Sequence, residues 1–221
     1  MQLADHPSSV AHYNRSVAAM QNTAWFYSWV IDTWQALNVA HDARVCDIGC
    51  GTGALLAHLD ARGYQQLSGA GFARGCAAAT QQAGPTAAVF VHNIEQAPLP
   101  RQFDVITLTG VIDFLPDPVM ALQHIRQSLA PGGHVIVSFR NRDAFWPWYH
   151  LRGGARRLPS AWLRHWFLWF TTPLGLRRND QPHERVYSAA EARSLLRAGG
   201  LALVRTHGYY RLPMFWIPEF P

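Results

Sequence analysis

A chain of 221 residues, 49% hydrophobic and 15% charged, has the length of one α/β domain and the apolar content to bury its core, which excludes a disordered chain. Its formal charge of +5, carried by 19 basic residues that are all arginine, is too weak an excess to argue for nucleic acid. Cys46, Cys50 and Cys76 make neither an even disulfide framework nor a metal-ligand spacing, the first residues show no signal pattern, and no apolar run approaches the roughly 18 residues of a membrane span, so a cytoplasmic protein without a metal is expected.

Residues 5–38 read as two helices, the second carrying Trp25, Trp29, Ile31 and Trp34 at roughly helical spacing. Arg44 to Ile48 is a short buried-strand pattern. It runs into Gly49-Cys50-Gly51-Thr52-Gly53 and then a helix with Leu55, Leu56 and Leu59. The alternation continues with a weak strand at Leu67 to Ala70, a helix at Arg74 to Gln82 and a strand at Ala87 to Val91. Further on come a strand at Phe103 to Leu108, a helix at Met120 to Leu129, a sharp turn at Pro131-Gly132-Gly133 and a strand at His134 to Phe139. After Arg140 the pattern breaks until a helix at Ala189 to Arg197, stopped by Gly199-Gly200, a strand at Leu201 to Thr206 and a closing strand at Tyr209 to Trp216. Strands separated by helices imply a parallel sheet covered on both faces. Without repeats or linkers, residues 1–221 read as one domain, with 1–40 an N-terminal helical lid and 140–186 an insertion.

Gly49, Gly51 and Gly53 directly follow a strand, where the chain must turn sharply and let its backbone approach a ligand at the next helix. The run Val45-Cys46-Asp47-Ile48-Gly49-Cys50-Gly51-Thr52-Gly53 resembles the first signature of class I S-adenosylmethionine (SAM)-dependent methyltransferases acting on small molecules. The resemblance continues in order through Phe103-Asp104-Val105-Ile106-Thr107-Leu108, Val111-Ile112-Asp113-Phe114-Leu115-Pro116-Asp117-Pro118 and Leu129-Ala130-Pro131-Gly132-Gly133. Gly49, Gly51 and Ala54 also satisfy the dinucleotide fingerprint. A nicotinamide enzyme is disfavoured by the late first strand, the lack of a second domain and the downstream segments.

The resemblance implies a three-layer Rossmann-like fold whose seven-stranded, mostly parallel sheet ends in an antiparallel strand, with SAM at the carboxyl ends of the first strands. It implies that Asp47 meets the methionine ammonium and that Gly49, Cys50, Gly51 and Gly53 pack on the methionine part. Gly71 and Phe72 would border the ribose, Asn93 and Ile94 the adenine, and Thr109 and Gly110 the sulfonium, with Tyr13 and Trp25 as an aromatic lid. Two departures stand out. Gly71 occupies the place of an acid that usually holds both ribose hydroxyls, in Gly69-Ala70-Gly71-Phe72-Ala73, and Asn93 stands where an Asp is frequent, although its amide can both accept and donate. Asp113 and Phe114 replace the Glu and His of many relatives.

Between Arg140 and Arg178 lie eight arginines, one acid (Asp143) and five of the nine tryptophans. Ser160 to Phe170 reads as an amphipathic helix, leaving Arg164 and His165 on a narrow polar stripe. A lid over the site is the leading reading, with a peripheral membrane contact through 158–178 or a homodimer contact as alternatives. Asn141, His183 and Tyr187 are the catalytic candidates, with His150 also near the methyl side. The expected activity is methyl transfer to a small, lipophilic molecule. The alternatives are intramolecular cyclisation of SAM to azetidine-2-carboxylate with release of methylthioadenosine, and a non-catalytic SAM-binding module.

Overall fold

The structure, a computed structural model, describes residues 24–72, 76, 79–80, 83–141 and 185–206. Five parallel strands lie in the order β3-β2-β1-β4-β5. They are β1 (Arg44–Ile48), β2 (Gln66–Gly71), β3 (Ala87–Val91), β4 (Phe103–Leu108) and β5 (Leu129–Val137). The inner strands β2, β1 and β4 are covered on both faces and so are mostly apolar, while β3, at one edge, is only partly buried. From β1 the chain winds outward through β2 and β3, then returns to place β4 on the other side of β1. That reversal opens a crevice above the carboxyl ends of β1 and β4.

Each strand alternates between two cores. On one face, helices α1 (Ala24–Ala36) and α2 (Ala54–Asp60) set Val30, Trp34, Leu55, Leu56 and Leu59 against Val45, Leu67, Val105 and Ile136. On the other, α3 (Pro118–Ser128) and α4 (Ala189–Ala198) set Leu122, Ile125 and Leu196 against Cys46, Ile48, Ile106 and Leu108. The result is the three-layer Rossmann-like arrangement expected. At the end of the sheet away from the crevice, the Arg44 guanidinium grips Asp104 with bonds of 3.0 and 2.8 Å, joining the first residue of β1 to β4.

Helix ends follow local chemistry. Asp117 accepts from the Met120 amide at 3.0 Å ahead of Pro118, so α3 starts two residues before the apolar periodicity suggests. Ser188 and Glu191 close a capping box on α4. Ser188→Ala is therefore expected to lower stability by about 1 kcal/mol, read as a fall of about 2–4 °C in thermal midpoint; an unchanged midpoint would mean that water caps the helix equally well.

Two expectations change. β5 begins at Leu129 rather than His134: Phe103 pairs with Leu129 and Val105 with His134, so Pro131-Gly132-Gly133 forms a bulge inside the strand, not a turn before it. Leu201 to Thr206 forms no strand. Its pattern was apolar enough, but a strand exists only through its ladder, and here Leu203 and Val204 stand exposed while only Leu201 is buried. The described residues form a sheet of five strands, all parallel. Tyr209 to Trp216, the antiparallel candidate, lies outside the described residues, as do most of the helix at 74–82, residues 1–23 of the N-terminal segment and nearly all of 140–186. No helix among the described residues is long and apolar enough to cross a membrane.

Candidate cofactor and acceptor site

The glycine loop turns the chain from β1 into α2 with the Gly49 amide donating to Ala70 O at 2.7 Å and the Gly53 amide to Cys50 O at 2.7 Å. Gly49, Gly51 and Gly53 all have left-handed φ values, 73°, 54° and 83°. Two are also closely approached. A Cβ on Gly49 would lie 2.2 Å from Val111 Cγ2, and one on Gly53 would lie 2.8 Å from Ala83 Cβ. The glycines are thus required by backbone angle and by packing together. Cys50 is buried with its sulfur beside Gly69, so the loop offers backbone, not thiol, to the crevice.

Asp47 sits at the end of β1, in register with Gly69 on β2 and Thr107 on β4. Its carboxylate is 4% exposed, and the Thr107 hydroxyl donates to Oδ1 at 2.6 Å. Burial pushes its pKa up to about 7, and the Thr107 bond only partly opposes this. No cation among the described residues compensates the charge. A carboxylate in that situation favours a positively charged ligand that can replace its lost hydration.

On the β2–β3 side, Gly71 is half-buried and Phe72 is 57% exposed at the rim. Asn93 follows β3, and its side-chain oxygen accepts from the Glu95 amide at 3.0 Å. One lone pair of that oxygen is thus committed to the turn, leaving the other and the amide nitrogen for a ligand. Ile94 is buried in the core at 3% exposure, so only its backbone can face the crevice.

On the β4–β5 side, Thr109 is half-buried, and Gly110, with φ 68°, donates its amide to the Ser138 hydroxyl at 2.8 Å. Beyond it a short 3-10 turn, Ile112–Phe114, carries Asp113 inward to 4% exposure. Asp113 fastens three segments: its Oδ1 accepts from the Arg140 amide at 3.1 Å and its carbonyl from the Arg185 amide at 2.8 Å. Burial raises its pKa to about 6 despite the Arg140 amide and charge. Residues 140–141 and 185–187 are thereby brought side by side: Asn141 and Tyr187 form a parallel bridge, the Tyr187 amide donates to Arg140 O at 2.9 Å, and its ring meets Phe139 edge-on at 5.4 Å. The Tyr187 hydroxyl is buried and has no hydrogen-bond partner among the described residues. Burial also pushes this phenol above its ordinary range, with the Arg185 guanidinium opposing the shift.

Two of the three catalytic candidates, distant in sequence, thus meet at one place. The third, His183, lies outside the described residues, as do Tyr13, His150 and the side chain of Trp25. The amphipathic stretch 158–178 lies outside them too. Sequence reasoning missed Thr107 as the partner of Asp47 and Asp113 as the fastener of the acceptor side. Thr107 could have been found as a polar residue in an otherwise apolar strand; nothing local marks Asp113.

Residues 30–206 match a family described as "Methyltransferase domain". The chain belongs to this methyltransferase family. SAM is accordingly its cofactor, and its glycine loop and late first strand are those of the class I, SAM-dependent type. This methyltransferase chain is 32% identical over 119 residues to the ubiquinone biosynthesis O-methyltransferase of Alkalilimnicola ehrlichii, a match covering 49% of the chain and 46% of the relative. It is 34% identical over 115 residues to the enzyme of the same description from Pseudomonas aeruginosa, covering 45% of each. The chain thus spans a little under half the length of these curated relatives. The magnesium protoporphyrin IX methyltransferase of Synechocystis, solved with bound S-adenosylhomocysteine (SAH), superposes with a TM-score of 0.58 at 17% identity, over 88% of this chain and 76% of that one. At that identity the likeness speaks for the methyltransferase fold alone.

Proposed function

We propose that this methyltransferase domain transfers the methyl group of SAM to a nucleophilic atom of a small, lipophilic molecule. The observation that carries the reading is the meeting of Asn141 and Tyr187 beside Asp113, at the carboxyl ends of β4 and β5 and next to the strand that holds Asp47. When bound, SAM supplies a methyl group already activated by its sulfonium, so the protein's task is to position an acceptor and take its proton.

The residues present fit the cofactor. Asp47, buried and without a counter-charge among the described residues, suits the methionine ammonium. The glycine loop admits the methionine part without side chains in the way, and Asn93 with the Ile94 backbone offers both kinds of hydrogen bond to an adenine edge. Thr109 and Gly110 border the sulfonium side. The Tyr187 hydroxyl, which has no hydrogen-bond partner among the described residues, and the Asn141 amide orient the acceptor, with His183 a further candidate from its place in the sequence. Lipophilicity of the acceptor is supported by the five tryptophans between Arg140 and Arg178 and by the quinone pathway named for the curated relatives. Nothing in the comparisons favours cyclisation of SAM.

Incubating the purified protein with SAM and a panel of phenolic and quinol acceptors, followed by chromatography, tests this directly. SAH and a methylated acceptor are expected. Release of methylthioadenosine without any acceptor, or no SAM binding at millimolar concentration, would overturn the proposal. Tyr187→Phe is expected to lower kcat/KM for the acceptor about 10- to 100-fold with SAM affinity unchanged, a loss of about 1.4–2.7 kcal/mol of transition-state stabilisation. Because the hydroxyl is buried with no hydrogen-bond partner among the described residues, the same variant should keep or gain stability; a variant with full activity would remove Tyr187 from the site.

A further inference from the structure

A nucleoside held across a glycine loop presents its ribose to the end of the neighbouring strand, where a carboxylate about 20 residues past the loop commonly accepts from the sugar hydroxyls. In this chain that position is Gly71, the last residue of β2. Space does not explain the glycine. Its φ is not left-handed, and a Cβ there would lie 3.8 Å from Gly49 Cα, 3.9 Å from Cys76 Sγ and 4.0 Å from Cys50 N, all ordinary van der Waals contacts. A side chain, aspartate included, has room to start from this backbone.

Among the described residues, no neighbouring group stands in for the missing charge. The sequence has no acid between Asp60 and Glu95. Asp60 accepts from the Thr86 hydroxyl beside Gly84, and Glu95 accepts from the Asp117 amide at 2.7 Å, so both flanking carboxylates are engaged elsewhere. Among the described residues the nearest side chain that could ionise is Cys76, but burial raises its pKa and its thiol donates to Phe90 O at 3.2 Å. The exposed ring beside Gly71 is Phe72, which offers a sugar or base surface contact but no acceptor.

We propose that this site recognises SAM through its methionine and adenine parts and is indifferent to the ribose hydroxyls, so that it takes SAM-class nucleosides whose 2′ or 3′ hydroxyl is missing. This rests on the SAM-binding reading of the crevice. A carboxylate accepting from a hydroxyl is the interaction that would otherwise penalise such ligands, since an unpaired buried carboxylate keeps its desolvation cost.

Titration calorimetry of the wild type with SAH, 2′-deoxy-SAH and 3′-deoxy-SAH tests it. The three dissociation constants are expected to agree within about threefold. Gly71→Asp, checked for folding by its melting curve, is expected to bind SAH about tenfold tighter and to discriminate against both deoxy analogues by about tenfold. A loss of about tenfold or more on deoxygenation in the wild type would overturn the proposal while leaving SAM binding intact, and this arm needs no variant. Absence of SAH binding would overturn both.

Discussion

Gly53→Ala is expected to lower the stability by about 2–4 kcal/mol, and with it the thermal midpoint by about 5–15 °C, because two separate penalties fall on one methyl group. At φ 83° an L-residue is strained. The added Cβ would also lie 2.8 Å from Ala83 Cβ, 3.1 Å from Ala83 Cα and 3.2 Å from Ala79 O. The last two are backbone atoms and cannot rotate aside, so relief requires shifting the segment that packs on the loop. Gly110→Ala supplies the comparison: φ there is 68°, but nothing lies within 4 Å of the new methyl, so it should show only the strain, about 1–2 kcal/mol. Urea denaturation of both variants decides the matter. Equal losses would show that packing against Ala83 contributes nothing. Because the loop borders the proposed cofactor site, Gly53→Ala should in addition weaken SAM binding by at least about tenfold.

Asp47→Asn is expected to stabilise the ligand-free protein at pH 8 and to weaken SAM binding, two effects of opposite sign from one carboxylate. In the unfolded chain an aspartate has a pKa of about 3.9, whereas burial raises Asp47 to about 7 in the fold. The folded state therefore holds the proton more tightly. Between about pH 4 and pH 7 stability falls as pH rises, and above about 7 the full cost, on the order of 4 kcal/mol, is present. Asparagine removes that cost while keeping an oxygen for the Thr107 hydroxyl. The gain should be largest at pH 8 and vanish near pH 4, with Asp113, raised to about 6, contributing the same sign in both proteins.

For the cofactor the sign reverses. Exchanging the carboxylate for an amide removes a charge-assisted partner of the ammonium, so SAM affinity should fall about 10- to 100-fold at pH 8. In the wild type, affinity should drop below pH 7, because the proton on Asp47 has to leave before the ammonium can be held. Calorimetry at pH 6 in two buffers of different ionisation enthalpy should show proton release in the wild type and none in Asp47→Asn. A variant less stable than wild type at pH 8 would mean that Asp47 supports the fold by a route other than its charge.

The strands β1, β3 and β4 were readable to the residue because each is a short, mostly apolar and β-branched run bounded by polar or turn residues. The start of β5 was not, because Pro131-Gly132-Gly133 carries every mark of a turn, and only the pairing of Leu129 with Phe103 shows that the strand has already begun. Leu201 to Thr206 misled in the opposite direction. Apolar composition there said nothing about whether a neighbouring strand would be present to pair with it.

At the site, Asp47 and the glycine loop were legible because both obey local rules: an acid ending a buried strand, and left-handed glycines where backbone must come close. By itself the sequence determined the order of strands and helices, the loop that receives the cofactor, and the absence of a carboxylate at Gly71. The tertiary structure alone decided that Asn141 and Tyr187 adjoin, that Asp113 is buried to tie them in place, and that Asp47 has Thr107 opposite it and no counter-charge among the described residues. The physical reason is range. Backbone angles and apolar periodicity act between near neighbours, whereas burial, desolvation and side-chain pairing depend on which distant segments the folded sheet places side by side.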